Sequence, residues 1–116
     1  MSEIITELNT LLPQLTSFIN QFNTTVSQSG INVITDSFGN MSIDVPQNMN
    51  SDTANQLSTR IGIIDRLVTA RGQEIDSLLQ KGVEIENKLK IDNSNYVSQL
   101  TEKIQEFRKL NSSYRH

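Results

Sequence analysis

The sequence has no cysteine, no tryptophan and only two prolines, and its single histidine is the last residue, His116. Without cysteine, neither a disulfide framework nor a thiolate metal site can form. With one histidine at the chain end, His-based catalytic triads and most zinc sites are excluded. Four Phe and two Tyr are all the aromatic mass in 116 residues. A compact core built on rings would be thin, so elongated packing of Leu and Ile is the more natural solution. No apolar run approaches the ~20 residues that a membrane span requires. Positive charge is missing from the first half, where no Lys or Arg precedes Arg60. The start of the chain, with Glu3 and Glu7 and no base, does not read as a presequence.

The net charge of −3 conceals an asymmetry. Residues 1–59 carry Glu3, Glu7, Asp36, Asp44 and Asp52, a net of −5, whereas residues 60–116 carry ten bases and eight acids, a net of +2. This balance argues against nucleic-acid binding, which needs clustered positive charge to neutralise phosphates. The basic residues near the end, Lys103, Arg108, Lys109 and Arg115, stand among Phe107 and Tyr114 but are diluted by Glu102 and Glu106, and read as a solvated face. Three Asn-x-Ser/Thr triplets, at Asn23, Asn40 and Asn111, read as unused composition.

What is present is periodic. From Thr53 to Ile91, apolar residues recur on alternating steps of four and three: Leu57, Ile61, Ile64, Val68, Ile75, Leu78, Ile85 and Leu89. That spacing holds one stripe on one side of a helix. Arg71 and Gly82 occupy stripe positions within it. Arg71 is suited to snorkel from the seam or to meet a carboxylate, and Gly82 to let another helix approach closely. Gly62, Gly72 and Gly82 each cost ~1 kcal/mol relative to alanine inside a helix, so this helix owes its stability to packing.

Residues 2–28 predict a first helix with two stripes. Ile4, Leu8, Leu11, Leu15, Phe18 and Phe22 form one, and Ile5, Leu12, Ile19 and Val26 add a second. So wide an apolar face is expected to touch two neighbours. Pro13 lies inside the stripe, whose phase survives it, which favours a kinked helix over two short ones. At 31–45 the period changes to two. Folding Thr35 over Met41 sets Val33 opposite Ile43 and Ile31 opposite Val45 on one face of a β-hairpin, with Ile34 on the other. Residues 46–52 form a polar connector in which Ser51 or Asp52 can cap the long helix. Asp92-Asn93-Ser94-Asn95 then interrupts the stripe, which resumes at Val97, Leu100, Ile104, Phe107 and Leu110. Either the chain turns back into a third helix over 94–112, or one helix continues through a stutter; the turn residues favour the break. Residues 111–116 are expected to fray.

The expected architecture is mainly α: a single elongated helical domain over 1–116, an antiparallel helical hairpin or three-helix bundle of coiled-coil type with one inserted β-hairpin. No phosphate loop, dinucleotide fingerprint or calcium loop occurs. Glu84 and Glu86 are two apart and do not face each other on a helix. No enzyme, cofactor, metal or small-molecule substrate is expected. The expected role is a structural subunit that uses its seams to assemble with other helical chains, as a homo- or hetero-oligomer. Its expected setting is the cytoplasm, the nucleus or a virion. The helix–hairpin–helix order resembles prefoldin subunits in layout, which implies a chaperone-like module as an alternative; a virion fibre or connector is another.

Overall fold

The computed structural model describes residues 2–89 and 94–114. Three helices and one antiparallel two-stranded sheet follow in the order α1 (Ser2–Ser29), β1 (Asn32–Thr35), β2 (Met41–Asp44), α2 (Ser51–Leu89) and α3 (Ser94–Ser112). The molecule is a rod of 60 × 26 × 17 Å, a length that 39 helical residues in α2 demand at ~1.5 Å each. It is an elongated three-helix bundle with an inserted hairpin.

α1 is continuous through Pro13. A proline in a helix removes one backbone donor, and that loss is small beside a wide face buried on two sides. Ile4, Ile5, Leu8, Leu12, Leu15, Ile19 and Phe22 are all buried, so both stripes enter the core. The helix stops at Gly30, whose φ of 73° is the left-handed conformation of a C-terminal cap. Ser29 Oγ, which donates to the Val26 carbonyl, accepts from the Ile31 amide and turns the chain toward β1.

The hairpin has the register expected from its alternation, with Val33 opposite Ile43 and Thr35 opposite Met41. The paired strands are shorter than 31–45, and Ile31 has left the sheet to lie in the core. At the loop, Asp36 Oδ1 accepts from the Phe38 and Asn40 amides at 2.9 and 2.8 Å, and Gly39 has a φ of 82°. Val33, Met41 and Ile43 lean on the helices.

α2 begins two residues before the expected Thr53, and its cap is neither Ser51 nor Asp52. Asn50 takes that role: its Oδ1 accepts from the Asp52 amide at 2.8 Å, and its carbonyl accepts from Ala54. Ser51 and Asp52 already have helical geometry, which leaves the preceding residue as the cap. Of the interruption at 92–95, residues 92 and 93 lie outside the described residues and Ser94 and Asn95 open α3, but its consequence is visible. Tyr96 reaches Gly82, and Tyr114 reaches Asp65, so α3 runs back along α2. Of the two arrangements the sequence left open, the chain adopts the break.

Candidate functional site

The seam residues named from the sequence are used first on the chain's own core. In α2, Ile61, Ile64, Val68 and Ile75 are buried, while Leu57, Leu78 and Ile85 are partly buried and packed against the core cluster. The side chain of Leu89 lies outside those described. In α1, Leu8, Leu15 and Phe22 are among the largest fully buried side chains, and Leu11 and Phe18 are partly covered.

The two polar exceptions in the α2 stripe have specific work. Gly82 is where α3 crosses: a Cβ placed there would meet Leu100 Cδ1 at 2.9 Å. The Tyr96 hydroxyl donates to the Gly82 carbonyl at 2.9 Å. Burial, and then the Glu86 carboxylate, push that hydroxyl above its ordinary pKa. Arg71 bridges α1 and α2. Its Nε donates to Gln14 Oε1 at 2.9 Å and its Nη1 to Glu74 Oε1 at 2.7 Å. The carboxylate it meets is thus on its own helix, and the cross-helix partner is a neutral amide.

Four buried residues escaped the sequence stripes: Thr25, Ala54, Leu79 and Tyr96. Leu79 lies one residue beyond the stripe member Leu78, because α2 must show one flank to α1 and another to α3. Leu79, with Val83, lines a groove together with Ile104, Phe107 and Arg108 of α3. Its signal was the spacing Ile75, Leu79, Gly82, which also runs four then three. Tyr96 was hidden by its place beside the turn residues.

Residues 111–114 depart from the expected fraying, while 115 and 116 lie outside the described residues. Tyr114 stacks edge-on against Phe22, with ring centroids 4.8 Å apart, and its hydroxyl donates to the Asp65 carboxylate. Asn23 Nδ2 donates to the Ser113 carbonyl at 3.3 Å. With Phe107 buried and Tyr114 packed on Phe22, the aromatic residues of the basic C-terminal segment serve the bundle.

One side of the α1–α2 pair is left uncovered. A groove of about 720 Å³ is lined by α1 from Pro13 to Ser29 and by Leu57 and Arg60 of α2. A second stretch of about 540 Å³ lies between Glu7 and Leu11 of α1 and the Ala70–Leu78 region of α2. No α3 residue lines either stretch, and the Gln14–Arg71 bridge lies between them along the helices. The α1 wall of the larger stretch, with Thr16, Ser17, Asn20, Gln21, Thr24 and Gln28, is polar and uncharged. No ionisable side chain occurs between Glu7 and Asp36.

Among the described residues, no group of His, Asp and Glu side chains is arranged to hold a metal ion, and no helix is long and apolar enough to cross a membrane. Comparison with protein-family models, curated proteins and solved structures gives no match to this chain.

Proposed function

We propose that this chain is a non-enzymatic structural subunit that receives a helix of another protein chain in the α1–α2 groove. The observation that carries the reading is the wall of that groove. A helix at a protein surface ordinarily carries charges on its outer face; here the last 22 residues of α1, 8–29, carry none. The fully buried parts of protein interfaces are depleted in charge, because stripping water from an ion is costly. A neutral amide and hydroxyl wall can be covered without that cost, and its groups can bond across the seam. Leu11, Leu57 and Leu78, partly buried along the groove, supply apolar anchors. The arriving helix would complete a four-helix, coiled-coil-like assembly, in an intracellular complex or a virion. Affinity purification of the tagged chain, followed by sedimentation of the recovered complex, tests this. Recovery of a stoichiometric helical partner or of a self-assembled oligomer is the expected result; a well-folded monomer that binds no helical chain overturns it.

A second reading is favoured by the hairpin between α1 and α2, where Phe38 is 88% exposed and Ile34 is 54% exposed. Such a tip suits a holdase in the layout of prefoldin subunits, although α1 and α2 are unequal at 28 and 39 residues. Suppression of client aggregation at stoichiometric protein is the expected result; its absence removes this reading.

A further inference from the structure

The hairpin's hydrogen-bond pattern determines which of its backbone groups face outward. The Asp36 amide donates to the Asn40 carbonyl at 3.0 Å. In an antiparallel ladder, hydrogen-bonded pairs alternate with pairs that exchange no bonds. Counting along the register from Asp36 and Asn40, Ile34–Ser42 and Asn32–Asp44 are the bonded pairs. The amides and carbonyls of Val33 and Thr35 therefore point away from β2, along the outer edge of β1. No third strand lies there, and among the described residues no hydrogen bond engages those groups. Asn32, Ile34 and Thr35 are exposed.

Open edges invite pairing, and proteins usually blunt them with charge, proline or a bulge. β2 has such protection in Asp44 and, just beyond it, Pro46. β1, Asn-Val-Ile-Thr, has no charge and no proline. Its exposed face carries Ile34, a β-branched apolar residue 54% accessible to solvent.

We propose that β1 is the pairing edge of a homodimer, joining β1 of a second copy antiparallel across a two-fold axis at Ile34. Of the registers that the outward groups allow, this one engages all of them. They lie on Val33 and Thr35, so Val33 comes opposite the partner's Thr35, and the two residues exchange both hydrogen bonds. Symmetry repeats the exchange on the other side of the axis. Ile34 meets its own copy in the close, non-hydrogen-bonded pair at the centre, with Cα atoms about 4.5 Å apart. Two exposed isoleucines thereby cover each other. Asn32 falls opposite the partner's Asp36, an amide against a carboxylate, and no two acids are opposed. The self-complementarity of this neutral edge selects a second copy as occupant, as isologous contacts require. The result is a four-stranded sheet with β2 at both outer edges. Strands of four residues bury well under the ~1,200 Å² of a stable interface, so the dimer exchanges and forms at high concentration.

The chain has no cysteine, so one introduced thiol reports its own neighbours. In full-length protein under a glutathione redox buffer, Ile34→Cys is expected to cross-link into a covalent dimer. A Cα separation near 4.5 Å lies within disulfide reach, so its rate should exceed that of Ser42→Cys or Phe38→Cys by roughly tenfold or more. Ser42 lies one strand farther from the axis, and Phe38 is at the loop tip. In sedimentation velocity, the wild-type mass should rise from 13.1 kDa toward a dimer with concentration. Ile34→Lys, with unchanged circular dichroism, should remain monomeric. Equal cross-linking at all three positions overturns the pairing, as does a wild-type chain that is monomeric at its highest concentration. An oligomer that persists in Ile34→Lys overturns it too, while leaving the helix-groove reading intact. A wild-type monomer that still binds a foreign helical chain has the same meaning.

Discussion

Gly82 shows how one atom's absence sets the spacing of two helices. A methyl group there would press on the end of Leu100 and approach the Tyr96 hydroxyl at 3.4 Å. Gly62 and Gly72 have open space where their Cβ atoms would stand. The three glycines look alike in sequence but differ physically. Gly62→Ala and Gly72→Ala should each stabilise the protein by up to about 1 kcal/mol, the helix-propensity gain. Gly82→Ala should gain the same propensity and lose about 1–3 kcal/mol to overpacking, so that it is neutral or destabilising. Urea unfolding followed by circular dichroism separates the three. Beside Gly82, the hydroxyl of Tyr96 has a raised pKa, so the folded state favours its neutral form. That contribution is fully present below the usual tyrosine value of about 10 and is lost as pH rises through the higher folded-state value. Tyr96→Phe should cost about 1 kcal/mol at neutral pH through the lost hydrogen bond. It should also flatten the fall in stability above pH ~10, which thermal melts across that range would show.

At the scale of elements, stripes of apolar residues predict which faces become core, and they do so well for α1, because both of its flanks are buried. The register of the hairpin was legible for a similar reason: folding across the five-residue loop puts Val33, Thr35, Met41 and Ile43 on a common face, and a slip of one residue would separate them. Boundaries and ends were harder to read. Asn50, Ser51 and Asp52 are all good caps by residue type, and only backbone geometry selects Asn50. Asn50→Ala should therefore cost about 1 kcal/mol, while Ser51→Ala should stay within about 0.5 kcal/mol; thermal melts of the two variants check the assignment. Tyr96 and Tyr114 were illegible because each works through a distant partner, Gly82 or Phe22 and Asp65. Spacing along one helix carries no information about such pairs. The uncharged wall of α1 was present in the composition, since the first half lacks any base, but its meaning required knowing that α3 leaves that side open.

For the whole molecule, charge is partitioned by face. α2 and α3 carry most of the charged side chains, and α1 presents an uncharged wall to the larger stretch of the groove. Thr24 and Gln28 stand on that wall, exposed and away from the core cluster. Substitutions at such positions normally change stability by no more than about 0.5 kcal/mol, so Thr24→Glu with Gln28→Glu should leave the isolated chain folded, with an unchanged melting temperature. Docked against another helix, the same two carboxylates would be stripped of water, and Arg60, the one cation lining that stretch, could pair with only one of them. Burying an unpaired charge costs several kcal/mol, enough to weaken assembly a thousandfold at about 1.4 kcal/mol per factor of ten. The double variant should therefore lose the partner in affinity capture while keeping the wild-type melt. The matching control adds the same two charges away from the groove: Ser98→Glu with Gln105→Glu, both on the exposed face of α3. Those changes should leave capture intact. Equal capture by both double variants would mean that the groove is solvent-facing in every state of the protein, and that the uncharged α1 wall of its larger stretch has no bearing on assembly.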